Sequence, residues 1–403
     1  MTIKASGGSN NLKFSEIESE FGQNGQRSLG DYRVSETNGS LSNMPLDSGI
    51  PQSGQIKFSD FYSKKLNIVV DLHSGSSETR RIARNHKYNS TATSTGQSTG
   101  NWRVVGGFRN RPTDSGEAPT GGVRGKKVFI NVNKTLGSNS SSTQTRCALR
   151  TGSWEANTDL VVDIGGSGKI YGGGGAGGKG NSKENPSGID GGDGNSALGI
   201  TYSGTTVNIA SGGLICMGYG GGGGGGTAYN KDSGNPHRYG SGGGGGGGAG
   251  FPGGAGGEGT NTDTTGETAD IPGTAGSLPD FSNSSQPSGG GRSGSVGYNE
   301  DWWEARGGLG GVGGPGATQH YENVTSGNPT ATGGEWYAGP QIGWDGHKTD
   351  HHNDEAEGGP GFEDGGAAGA NGAAIRRTSG ISVTINGNNA NTVKGSTTAT
   401  GVS

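Results

Sequence analysis

"CMGYGGGGGGGTAYN", residues 216–230, contains seven consecutive glycines, Gly220–Gly226, and a second run of seven, Gly242–Gly248, follows after fifteen intervening residues. Polyglycine has no side chain to bury and loses more chain entropy on ordering than any other sequence, so the default reading of one such run is a flexible linker. The residues leading into it point the other way. "TTVNIASGGLICMGYGGGGG", from 205, echoes "DLVVDIGGSGKIYGGGGAGG", from 159, and "GISVTINGNNANTVKG", from 380, repeats the pattern less completely. In each, a Val-x-Ile strand (Val162–Ile164, Val207–Ile209, Val383–Ile385) meets a Gly or Asn turn and a return strand, which reads as a β-hairpin. Two of the three then run straight into glycine. A disordered linker has no reason to be launched repeatedly from an ordered strand.

Glycine tracts recur from about 172 to 372 without a strict Gly-X-Y repeat, which excludes collagen. Extended helices of the polyproline II type have three residues per turn and no internal hydrogen bonds, so every N–H and C=O points outward. Where neighbouring helices are also glycine they can approach and bond laterally, and the backbone becomes the core. Ordering each residue costs about 1–2 kcal/mol and each bond returns about 1 kcal/mol, so many tracts must cooperate. The expected fold class is mainly β with a polyglycine type II (polyproline II-like) helix bundle and a small N-terminal docking module.

Composition agrees that an ordinary core is scarce: of 403 residues, 26% are hydrophobic and 92 are glycine. The net charge of -4 excludes the basic character of a nucleic-acid binder. Two cysteines, Cys147 and Cys216, cannot frame a disulfide scaffold, and their apolar settings suit buried free thiols. "MTIKASGGSNN" lacks the apolar core of a signal peptide, and the aliphatic run "IVV" at 68–70 is too short for a membrane span; the expectation is a soluble product made in the cytoplasm without a signal peptide. Residues 300–364 hold twelve acids against two bases, a solvated or partner-facing acidic region.

Four regions follow. Residues 1–66 carry an internal echo, "LKFSEI" (12–17) and "IKFSDF" (56–61), joined by a turn-rich connector with "GIPQSGQ". Ser15 with Glu18 forms a capping box for a short helix whose Phe14, Ile17 and Phe21 share a face; Phe58, Phe61 and Tyr62 repeat it with Ser59 as cap. These six apolar residues are the candidate docking set of a module that gains stability from a partner or from the next domain. Residues 67–170 alternate as strands of a small β-sandwich or sheet, 171–375 form the glycine bundle with its recognition loops, and 376–403 form a C-terminal closing β-hairpin.

The loops between tracts are aromatic. Tyr229, His237 and Tyr239 lie between the two seven-glycine runs, and Tyr298, Trp302, Trp303, Tyr321, Trp336, Tyr337 and Trp344 lie beyond them. Rods running back and forth deliver their connections to bundle ends, and aromatics on loops held by a rigid scaffold compose a recognition surface. Packing of Trp302 and Trp303 on the bundle edge is the structural alternative.

From 159 to 403 this succession of hairpin, tract and aromatic loop resembles the glycine-rich receptor-recognising adhesins at the tips of T-even-type bacteriophage long tail fibres. "LKFSEI" and "IKFSDFYSKKLNIVV" are similar to a segment of virion structural proteins of marine and cyanobacterial tailed phages. The resemblance implies an N-terminal attachment to a tail fibre or other virion protein, a sandwich of glycine helices, and variable loops that choose a host outer-membrane protein or surface glycan. The strand-rich stretch 66–160 and the long acidic loops depart from that pattern.

Catalytic readings fail. "GGGGAGGKGNS" (172–182) spaces Gly173 and Gly178-Lys179 like a phosphate-binding loop but has Gly180 where Ser or Thr is required. His347 and His351 are four apart without the glutamate of a zinc protease helix, so no metal and no cofactor is assigned. The expectation is a non-enzymatic receptor-binding adhesin at the virion's tail fibre tip, with a purely structural virion component as the alternative and an ice-binding protein as a further rival.

Overall fold

In a computed structural model the described residues are 11–21, 28–29, 50–51, 53–64, 68–72, 78–79, 102–105, 112–113, 127–138, 143–152, 154, 156–180, 190–224, 228–230, 238–240, 244–259, 272–282, 289–291, 295–297, 304–306, 347–349, 361–362 and 368–402. One helix, α1 (Phe14–Phe21), precedes the strands β1 (Ile68–Leu72), β2 (Glu78–Thr79), β3 (Trp102–Val105), β4 (Pro112–Thr113), β5 (Lys127–Val132), β6 (Thr135–Gly137) and β7 (Cys147–Arg150). There follow β8 (Asp159–Ile164), β9 (Lys169–Tyr171), β10 (Ser196–Ile200), β11 (Thr205–Ile209), β12 (Leu214–Cys216), β13 (Ala228–Asn230), β14 (Arg238–Gly240), β15 (Ser295–Gly297) and β16 (Glu304–Arg306). The last are β17 (His347–Thr349), β18 (Gly361–Phe362), β19 (Ile375–Arg377), β20 (Val383–Asn386), β21 (Val393–Lys394) and β22 (Ala399–Thr400).

Their pairing is that of a three-faced parallel β-solenoid. One face stacks β1, β5, β8, β11 and β20 in parallel, with β3 and β4 added antiparallel beyond β1. The second face stacks β2, β6, β9, β12 and β21, and the third β7, β10, β19 and β22, all parallel. Each coil therefore gives one strand to each face: β5–β6–β7, β8–β9–β10, β11–β12–β19 and β20–β21–β22. Inward positions are aliphatic throughout, with Val128, Ile130, Leu136, Leu149, Leu160, Val162, Ile170, Leu198, Val207, Ile215 and Ile375 inaccessible to solvent. Fully burying each such side chain is worth about 1.5–3 kcal/mol, which makes this the apolar core of the molecule.

The solenoid corrects the hairpin reading. The Val-x-Ile strands do not fold back on the strands that follow them; Val162, Val207 and Ile385 stack on one another in successive coils of the first face, and the second strand of each unit turns a corner into the next face. A Gly-turn between two apolar strands is read as a hairpin only if the strands pair, and here each finds its partner one coil away. The sandwich reading of 67–170 and the hairpin reading of 376–403 are replaced together, since strands from both regions share all three faces.

At the N-terminus, Leu12, Ile17, Ile50 and Phe61 form a separate buried cluster with Phe14, Leu29, Ile56 and Tyr62 packed around it. The two echoes open with the same cap, the first starting α1 and the second a single turn of 3-10 helix at Phe58–Phe61. The Glu16 carboxylate accepts the Lys13 N–H at 2.7 Å and the Asp60 carboxylate accepts the Lys57 N–H at 2.7 Å. The caps thus sit two residues earlier than expected: Lys13 and Lys57 begin the turns, not Ser15 and Ser59, because the acid three residues on reaches back to an otherwise orphaned N–H.

Candidate functional site

At one corner of the solenoid, between the second and third faces, two successive coils leave the regular path. The chain departs after β9 and returns at β10, then departs after β12 and returns only at β19. The described parts of these excursions are glycine-rich tracts: 172–180, 190–195, 217–224, 244–250, 252–259, 272–277, 289–291 and 368–374.

None of the backbone bonds of these tracts joins two residues of one tract; all cross to a neighbour or to the solenoid. Residues 172–180 show the rule. Gly172, Gly175 and Gly178 donate to the carbonyls of Cys216, Tyr219 and Gly222, while Gly174, Gly177 and Gly180 donate to Pro252, Ala255 and Glu258, all at 2.8–2.9 Å. Two interleaved series, each stepping by three residues, thus serve two parallel neighbours. Antiparallel neighbours donate in return: Gly192 to Ala176 and Asn195 to Gly173 from one side, Gly245 to Gly178 and Gly248 to Gly175 from another. Followed outward, the bonding has the connectivity of two stacked layers, with 190–195, 172–180 and 252–259 in one and 368–374, 217–224, 244–250 and 272–277 in the other.

Glycine is required there by the closeness of the backbones. A β-carbon at Gly175 would run into the carbonyl of Gly192, one at Gly254 into that of Gly175, and one at Gly220 into that of Gly369. In 172–180 and 252–259 the residues with side chains occupy the third position of each turn, facing out. Ala176 and Lys179 alternate with glycine pairs in one tract, Ala255 and Glu258 in its parallel neighbour, and Lys179 Nζ lies 3.1 Å from Glu258 Oε2. The near-match to a phosphate loop falls in this tract. Its glycine amides are already spent, Gly173 N–H on Ser138 Oγ at 2.7 Å and Gly178 N–H on Gly222, so they do not cradle a phosphate.

The base of the array is sealed against the solenoid by Tyr171, Leu214, Cys216, Met217, Tyr219 and Ala249, with Phe251 and Phe281 alongside. Lys394 Nζ stands 4.8 Å from the Phe281 ring centroid. Burial pushes the Cys216 thiol up to about 12, against the opposing effects of Tyr219 and Lys394, and burial likewise pushes Tyr171 up to about 12. Cys147 and Cys216 are both buried and neither is in a disulfide.

From this base the tracts run out and back in strict alternation. Gly178, Gly222, Gly245, Gly257 and Gly273 are bonded at one level near the far side, so Gly180, Asp190, Gly224, Gly244, Gly259 and Pro272 all mark the end away from the solenoid. The connections 181–189, 225–243 and 260–271 begin and finish at that end, and 292–367 begins after a tract that runs outward from Gly289 to Gly291 and finishes in one that runs back from Gly369 to Gly372. Within them, β13, β14 and β18 form one small antiparallel sheet that sets Tyr229 opposite Tyr239, and β15, β16 and β17 form another. Of the expected recognition residues, Tyr229 and Tyr239 are thereby brought together. His237, Tyr298, Trp302, Trp303, Tyr321, Trp336, Tyr337 and Trp344 lie outside the described residues. His347 pairs in register with Arg306 across β16 and β17, and His351 lies outside the described residues. Among the described residues no group of acids, histidines and cysteines could hold a metal ion.

The expected docking residues divide. Ile17 and Phe61 are wholly buried and hold the N-terminal cluster together, which corrects their reading as contact residues. Phe58 is 40% exposed and Phe14 partly so, their rings edge to face at 6.1 Å. Tyr62 accepts the Leu12 N–H through its hydroxyl at 3.3 Å, and the Phe21 side chain lies outside the described residues.

Comparison with known families gives a match over residues 90–301, more than half of the chain, to the family described as phage tail fibre adhesin Gp38. The chain belongs to this family. As a tail fibre adhesin it is a virion protein of a bacteriophage, from a family of adhesins and not of enzymes. No curated protein and no solved structure matches it. The match takes in residues 90–160 of the strand-rich stretch that departs from the pattern of the resemblance. Residues 1–89 lie outside it. Among the described residues no helix is long and apolar enough to cross a membrane.

Proposed function

We propose that this adhesin is the receptor-binding tip of a tail fibre, in which a polyglycine type II helix bundle holds a set of loops against a receptor on the host bacterial surface. The observation that carries the reading is that both connections holding the candidate aromatics, 225–243 and 292–367, leave the glycine array on the side away from the solenoid. The three-residue step of the lateral bonds supports the helix type, since a polyproline II-like chain turns once every three residues. Loops anchored on such a scaffold lose little ordering entropy when Trp, Tyr and acidic side chains meet a partner. A host outer-membrane protein or a surface glycan fits that description, and no cofactor takes part.

In the same reading residues 1–66 dock the chain on a fibre or other virion protein through Phe14 and Phe58, the exposed members of the set. Replacing Trp302 and Trp303 together by alanine abolishes adsorption of the purified chain to host cells and leaves its thermal unfolding unchanged. A protein that binds virions but no host cell would instead be a structural component of the fibre.

A further inference from the structure

The third face of the solenoid is basic, in a chain whose net charge is -4. Its strands β7, β10, β19 and β22 with their described flanks, 143–152, 194–202, 372–382 and 395–402, contain Arg146, Arg150, Arg376 and Arg377, and none of these residues is Asp or Glu. Arg376 is shut in, with 8% of it exposed. Its Nε donates to Ser196 Oγ at 2.9 Å and its Nη1 to the Thr400 carbonyl, both neutral acceptors. The Ala373 N–H donates to the same Ser196 Oγ at 3.0 Å; since both neighbours can only donate, the hydroxyl proton goes to the Gln144 carbonyl at 2.6 Å. Ser196 is thereby fully bonded and holds the guanidinium in one orientation. A guanidinium has five N–H donors, and the two on Nη2 take part in no bond and reach the surface. A charge drawn this far out of water is ordinarily matched by an opposite one, yet among the described residues no carboxylate pairs with Arg376.

The register places Arg150, Gly199, Arg376 and Ala399 in one row across the face. Cys147 Sγ and Val402 Cγ1 close the Gly199 side, where a β-carbon would lie 2.8 and 3.0 Å from them. On the other side the row offers the methyl group of Ala399. We propose that Arg376 is an oxyanion site, in which the donors of Nη2 hold one carboxylate or phosphate group that enters over Ala399. Charge-assisted bonds from an arginine fixed in this way suit either group. The site lies on the solenoid and is independent of the receptor-binding reading.

The test is equilibrium dialysis of the full chain against radiolabelled inorganic phosphate at low ionic strength, with acetate, sulfate and chloride as competitors. The proposal predicts one phosphate per chain, displaced by sulfate and not by chloride at equal concentration; displacement by acetate as well admits carboxylates to the site. Arg376→Lys, which keeps the charge and loses the fork, weakens binding about tenfold or more. Ala399→Glu brings a carboxylate into the row of Arg376 one strand away, so it abolishes phosphate binding and raises the melting temperature at low salt. This second variant keeps the test decisive if Arg376→Lys does not fold. No binding by the parent chain, or equal binding by the parent and Ala399→Glu, which marks an adventitious ion only, overturns the site.

Discussion

At the scale of single residues, the molecule depends on where a β-carbon is forbidden and where it is allowed. Gly175→Ala and Gly254→Ala each push a methyl into a backbone carbonyl of the adjacent tract, and each is expected to lower stability by about 1–3 kcal/mol in denaturant unfolding. Lys179→Ala, on the outward position, is expected to stay within about 0.5 kcal/mol. The G-G-x triplets that separate the two kinds of position were visible in "GGAGGKG" (174–180) and "GGAGGEG" (253–259). They escaped a search for one long Gly-X-Y repeat because each tract keeps the register for only a few turns. A second residue, Asp163, interrupts a polar row of the solenoid: Asn386 donates to Asn208 at 2.8 Å, and Asn208 donates to Asp163 at 2.6 Å. Burial raises its carboxyl above the ordinary value, opposed by Asn208 and Lys127. A raised folded value means stability that is fully present below the unfolded value and lost as pH rises through the folded one. Asp163→Asn is therefore expected to raise the unfolding midpoint at neutral pH and to remove the gain that the parent protein shows on acidification below it, as read by thermal melts across pH.

At the scale of elements, the N-terminal echo is two copies of one capped turn, with Leu12 and Ile56 matched, Ile17 and Phe61 matched in the buried cluster, and Phe14 and Phe58 meeting at its surface. Ile17→Ala is expected to cost about 2–5 kcal/mol and to unfold this small module, whereas Phe14→Ala with Phe58→Ala leaves its fold intact and removes the protein from assembled virions. Proteolysis and virion composition distinguish the two. The apolar positions of this echo were legible in sequence because hydrophobic spacing reports a shared face. Which of them faces inward was not, since a helix of two turns offers too little periodicity to separate core from rim. The strands show the complementary failure. Val-x-Ile alternation located β8, β11 and β20, but alternation says nothing about the partner. Parallel stacking one coil away was hidden by excursions of very unequal length, twenty-odd residues after β9 and more than a hundred and fifty after β12.

At the scale of the whole molecule, the glycine array is an outgrowth of one corner of a solenoid whose own coils are complete without it. Replacing 172–195 and 217–374 by short turns, like the 138–146 segment that joins β6 to β7, is expected to leave a cooperatively folding solenoid that no longer adsorbs to cells. Loss of all folding would mean that the array and solenoid form one unit. The shortage of apolar residues is what leads the sequence reading to propose a backbone core, while the exit of the loops depends on the level at which tracts bond, which no local pattern encodes. The central claim is that main-chain bonds between tracts hold the array. Hydrogen exchange resolved by residue across 174–179 tests it most directly, because Gly174, Gly175, Gly177 and Gly178 donate to neighbouring tracts and the Ala176 and Lys179 amides do not. The account predicts slow, slow, fast, repeated twice; uniform exchange at the rate of a free peptide would contradict it.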